Sequence, residues 1–150
     1  MMKRMTPVAL CAAFVVAAAV GSFAQSEAPR PKKDVEIGGY CPVAYVAMNQ
    51  AMKGNPQQKS VHKGKTYHFA NAEAKQMFDA APEKFLPKYD GLCATALAQG
   101  MKVESDPTLF TVHEGQTYLF SNAEAKAMFD KDKAGIIAKA DKSWATLSKQ

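Results

Sequence analysis

The sequence contains no G-x-S-x-G nucleophile elbow, no glycine-rich phosphate loop and no H-E-x-x-H helix. Three common routes to hydrolase, nucleotide and metalloprotease chemistry therefore have no local signature in it. It also lacks a basic stripe interleaved with aromatics. Lys59, Lys63, Lys65 and Lys75 are interspersed with Glu73 and Asp79, a pattern that serves solubility and excludes nucleic acid as the expected partner. Long hydrophobic runs are missing too: Val8 to Val20 is apolar throughout but too short for a comfortable membrane span. Cysteine is scarce, with three in 150 residues, and one of them, Cys11, lies inside that apolar run.

The run reads instead as the centre of a secretory signal. Lys3 and Arg4 precede it, and Ser22-Phe23-Ala24 supplies a small-x-small cleavage site, so residues 1–24 are expected to be removed after Ala24. The mature chain would be periplasmic or secreted, with no membrane attachment. Cleavage removes two cations and no acid, taking the formal charge from +5 to +3, and leaves Cys41 and Cys93. Residues 25–37 are polar, with Pro29, Pro31 and a Lys32-Lys33 pair, and are expected to be a disordered linker.

What the remainder contains is a duplication. Residues 61–79 read VHKGKTYHFANAEAKQMFD and residues 112–130 read VHEGQTYLFSNAEAKAMFD; 14 of the 19 positions are identical at an offset of 51. Such self-similarity marks a repeated supersecondary unit. Gly64 and Gly115 suit tight hairpin turns. Tyr67 and Phe69 alternate with Thr66 and His68 in a strand pattern. Asn71 and Asn122 stand where helices need N-caps, and Ala74, Met77 and Phe78 recur at helical spacing as one apolar face, as do Ala125, Met128 and Phe129. Each unit is thus a β-hairpin followed by a helix, with Met77 and Met128 assigned to the core. A unit of this size buries a marginal core alone, so two are expected to pack around a pseudo-two-fold axis.

The expected architecture is α+β: two pseudo-symmetric β-hairpin–helix units, residues 38–90 and 91–150, packed as one compact domain with a C-terminal amphipathic helix. Pro42 suits a first helical turn and puts Cys41 at its N-cap, with a helix expected from Val43 to Met52. Residues 81–86 read as a short helical turn stopped by Pro87. Gly91-Leu92-Cys93 mirrors Gly39-Tyr40-Cys41, again with cysteine at a helix start. Ile136, Ile137, Ala140, Trp144 and Leu147 mark the terminal helix, with Trp144 as a core anchor.

Several segments in order carry a family resemblance: G-Y-C-P-V-A-Y from Gly39, K-G-N-P from Lys53, G-K-T-Y-H-F-A-N-A-E from Gly64, P-E-K-F-L-P-K-Y-D-G-L-C-A from Pro82, and I-A-K-A-D-K-S-W from Ile137. Over roughly residues 37–147 the chain resembles the exported YHS-domain proteins of bacteria. The wider YHS and TRASH-like group is associated with heavy-metal handling, notably copper. Its metal-binding members place cysteines directly after the aromatic strand. Here those positions hold Phe69-Ala70-Asn71-Ala72-Glu73-Ala74 and Phe120-Ser121-Asn122-Ala123-Glu124-Ala125, so that site does not carry over.

The chemistry-bearing residues that remain are few. Cys41 and Cys93 occupy near-equivalent positions, and three readings stay open for them: a disulfide of the oxidising compartment, thiolate ligands for a soft ion such as Cu(I), or two separate inert thiols. His62 and His113 are also equivalent. Together the four residues compose a candidate symmetric metal set, against which stands the reading of both histidines as polar residues beside hairpin turns. Met48 and Met52 are the methionine pair considered for a thioether site. No catalytic residue is assigned. The expected function is a non-enzymatic exported binding protein for a soft metal ion or small ligand, with a disulfide-stabilised interaction module as the alternative.

Overall fold

Two hairpin turns set the frame. In each, a non-glycine residue and the following glycine take left-handed backbone: Lys63 and Gly64 at φ 50° and 76°, Glu114 and Gly115 at φ 51° and 74°. Two consecutive left-handed residues match the right-handed twist of the flanking strands. The computed structural model describes residues 35–150; the signal sequence and residues 25–34 of the expected linker lie outside the described residues. Those described belong to one compact unit.

In the first repeat, β1 (Asn55–His62) pairs antiparallel with β2 (Lys65–Phe69). In the second, β3 (Asp106–His113) pairs with β4 (Gln116–Phe120). Both ladders slip at the same place, between Asn55 and Lys59 and between Asp106 and Phe110. The cause is local. The side chains of Asn55 and Asp106 accept hydrogen bonds from the backbone N–H two residues on, at 2.9 and 2.8 Å, closing turns that push the intervening residues out of register.

Each hairpin is followed by its helix, α2 (Ala72–Ala80) and α5 (Ala123–Lys131). Asn71 and Asn122 cap them as expected, accepting from Ala74 N–H and Ala125 N–H at 2.8 Å each. Replacing Asn71 by alanine should cost about 1 kcal/mol of stability, read as a lower urea midpoint with unchanged slope. The helices lay Phe78 and Phe129 on the aromatic face of the strands. Phe78 contacts the Tyr67 and Phe69 rings at centroid distances of 5.3 and 5.0 Å, and Phe129 contacts Tyr118 and Phe120 at 4.9 and 5.0 Å. A second tie recurs at the outer edge: Ser60 donates to Asp79 and Thr111 to Asp130. The Lys75 ammonium and the Ser60 hydroxyl hold the Asp79 carboxyl below the usual range.

The remaining helices are α1 (Pro42–Met48), α3 (Pro82–Phe85), α4 (Ala94–Ala98) and α6 (Lys133–Leu147). Helix α1 stops earlier than Met52 because Asn49 turns left-handed at φ 52° and closes the last turn. Helix α6 packs Ile136 and Ala140 inward as the periodicity predicts. Order begins before Gly38: Ile37 is buried and belongs to the core of the first repeat.

The repeats share their interior at a seam. Tyr45 of α1 donates to the Pro107 carbonyl at 2.7 Å and its ring meets Phe110 edge-on at 4.9 Å. Leu119 of β4, 1% exposed, sits in the core of the first repeat with Tyr45, Phe78 and Phe85. The equivalent residue of the first hairpin is His68, half-buried, which lies against Gly54 so closely that a Cβ there would come within 2.5 Å of the histidine Cβ. The duplication is therefore asymmetric where it matters for cohesion.

Candidate functional site

Both cysteines are seated by the same device. In the first repeat Ile37, Gly38 and Gly39 take left-handed backbone in succession, at φ 53°, 57° and 78°; in the second Tyr89, Asp90 and Gly91 do so at 59°, 53° and 76°. Such conformations cost of order 1 kcal/mol or more for a residue with a Cβ, and a β-branched residue such as Ile37 is an unusual occupant. The turn reverses the chain so that Cys41 N–H donates to the Met52 carbonyl at 2.8 Å and Cys93 N–H to the Val103 carbonyl at 2.9 Å. Pro42 then starts α1 and Ala94 starts α4, leaving each cysteine at an N-cap position with no side-chain cap bond.

Cys41 and Cys93 are free thiols, each 0% exposed. The structure does not bring them together: they border two separate cavities and belong to two core clusters. The first cavity, of about 240 Å³, has Cys41 in its wall together with Met48, Met52, Met77, Asn71 and Glu73. The second, of about 340 Å³, has Cys93 with Met101, Met128, Asn122 and Glu124. The two are counterparts, because Met77, Asn71 and Glu73 align with Met128, Asn122 and Glu124 at the offset of 51. They differ in one polar contact: Ser121 Oγ lies 3.5 Å from Cys93 Sγ, whereas Ala70 occupies the matching position beside Cys41.

The methionines depart from expectation. Met77 and Met128 are not core residues; they are 41% and 49% exposed. Phe78 and Phe129 alone fill the seats above the strand aromatics, and the preceding helical position is carried about 100° round the helix toward the cysteine cavity. Met48 and Met101 are 50% and 48% exposed. Four of the five large apolar residues exposed among the described residues are thus methionines bordering the two cysteine cavities. Met101 is one of five methionines, with Met48, Met52, Met77 and Met128, that the sequence offers as thioether candidates, of which only the Met48–Met52 pair has a spacing that favours it.

The histidines lie elsewhere. His62 Nε2 is 3.2 Å from Glu83 Oε1, and its ring stands edge-on to Phe78 at 6.0 Å. His113 Nε2 is 4.0 Å from Glu114 Oε1. Neither borders a cysteine cavity, so the candidate set Cys41, Cys93, His62 and His113 does not converge. Among the described residues no group of three His, Cys, Asp or Glu side chains is arranged to hold a metal ion. Neither thiol has a histidine partner among the described residues.

What the two cavities offer chemically is sulfur. Thiolate and thioether donors are soft and select Cu(I) over hard cations, and methionine adapts its three rotatable bonds to an irregular site. No protein-family model, curated protein or solved structure matches this chain.

Proposed function

We propose that this chain is an exported, non-enzymatic binding protein that takes a soft metal ion, Cu(I) foremost, at its paired cysteine–methionine cavities. Cys41 with Met48, Met52 and Met77 supplies one donor set, and Cys93 with Met101 and Met128 the other. The observation that carries this reading is the exposure of four methionines around two equivalent cavities that each contain a buried thiol. Burial normally rewards a methionine side chain by about 1.5–3 kcal/mol, so packing alone does not account for a duplicated rim of thioethers left in water. The resemblance to YHS-domain proteins favours the same reading. His62 and His113 are left out of the donor sets because neither borders a cysteine cavity.

The test is a competition titration of the reduced mature protein with Cu(I) held by a chromogenic chelator. Wild-type protein should strip copper from the chelator. Cys41→Ser should lose most of that capacity in the first site while Cys93→Ser spares it. Equal affinity in wild type and the double variant Cys41→Ser/Cys93→Ser would sink the reading.

A further inference from the structure

A third cavity, of about 520 Å³, shares no residue with either cysteine cavity. It lies where the repeats meet: Lys65 and Gln116, equivalent positions of the two hairpins, both border it. Its charges do not balance internally. Glu83 is taken by Lys63 at 2.6 Å and by His62 at 3.2 Å, and Asp90 is taken by Lys65 at 3.1 Å. Lys88, half-buried in the wall, is left over. Neither its ammonium nor the indole N–H of Trp144 has a side-chain partner among the described residues. The Trp144 ring is half-buried and packs on Tyr89 at 6.0 Å, while the Tyr89 hydroxyl donates to Asp141 at 2.8 Å. That bond braces the aromatic wall from behind.

The turn that forms part of the cavity wall differs between the repeats. In the first repeat, Ile37 and Gly38 stand where Tyr89 and Asp90 stand in the second. The second repeat accordingly holds an aspartate left-handed at φ 53° where the first uses glycine, and that carboxylate fixes Lys65 at the rim.

We propose that this cleft binds a small organic anion with a flat apolar body, an aromatic or cyclic carboxylate. Its carboxylate pairs with the Lys88 ammonium and its ring lies against Trp144. The volume falls in the range of small-molecule sites, about 300–1,000 Å³. A lysine ammonium with no side-chain counter-ion among the described residues gains from an incoming carboxylate, since charge-assisted bonds are roughly twice as strong as neutral ones. The aromatic wall distinguishes such a ligand from a bare inorganic anion.

Trp144 is the single tryptophan of the chain, so one indole N–H resonance in a ¹⁵N-labelled sample reports on the cleft. Benzoate is expected to shift it saturably, and benzamide, the neutral isostere, is expected to leave it in place. Lys88→Gln should weaken benzoate by about tenfold, equivalent to about 1.4 kcal/mol, with the remaining amide spectrum unchanged; Lys88→Arg, which keeps the charge, should retain the shift. The proposal is overturned if benzoate gives no saturable shift or benzamide gives an equal one. It is equally overturned if inorganic phosphate binds as tightly as benzoate, or if Lys88→Gln binds benzoate like wild type.

Discussion

Replacing Leu119 by alanine is expected to destabilise the whole domain by about 2–5 kcal/mol, the range for truncating a buried leucine. The side chain is 1% exposed and stands on β4 of the second hairpin, yet it belongs to the core cluster of the first repeat, which also holds Phe78 and Phe85. Its loss leaves a cavity at the seam, where neither repeat can collapse into the space without breaking its own aromatic stack. A domain of this size has roughly 5–15 kcal/mol to spare, so the change consumes a large part of it. Because the residue belongs to one repeat by sequence and to the other by packing, both should melt together. Urea unfolding followed by Trp144 fluorescence and by far-ultraviolet circular dichroism should give one coincident transition, shifted equally. A loss below about 1 kcal/mol, or two separated transitions in the wild-type protein, would show that the repeats fold independently.

The second large effect concerns the thioethers. Changing Met48, Met52 and Met77 together to leucine keeps the lining apolar and nearly conserves volume, a swap that usually costs under about 1.5 kcal/mol per site. Cu(I) affinity at the first cavity should nonetheless fall at least about a hundredfold, taking about 1.4 kcal/mol for each tenfold step and at least two lost sulfur donors. The second cavity, with Cys93, Met101 and Met128, should keep its copper. A triple variant with wild-type affinity would reduce the methionines to an apolar rim and remove the soft-donor reading of the first cavity.

The duplicated elements were legible because their determinants are local. A left-handed glycine in each hairpin, an asparagine three residues ahead of the N–H it caps, and Phe78 or Phe129 opposite paired strand aromatics are all readable at short range. The N-cap placement of Cys41 followed from Pro42 in the same way. The seam was not legible. Nothing in the alternation of β4 says that Leu119 enters the other repeat's core while His68, at the matching position, lies against Gly54. The methionines were misjudged because helical spacing puts Ala74, Met77 and Phe78 on one broad face, and only packing reveals that Phe78 takes the seat while Met77 stays 41% exposed. The pairing of cysteines with histidines drew on their shared symmetry. Symmetry places equivalent residues near one another only at the axis, and the cysteines sit in separate cavities while Lys65 and Gln116 share the cleft between the hairpins. The linker was drawn through residue 37 on composition, whereas Ile37 is buried because the left-handed turn folds it back onto the first core.

X-ray absorption at the copper edge of reduced mature protein loaded with Cu(I) tests the soft-metal reading most directly, because it counts the donor atoms themselves. The predicted result is a first shell of sulfur alone in the wild type, with fewer sulfur donors in the Met48→Leu/Met52→Leu/Met77→Leu variant. A shell containing imidazole nitrogen would return His62 or His113 to the site and contradict the cysteine–methionine assignment. A protein that retains no Cu(I) after passage over a desalting column would contradict metal binding itself.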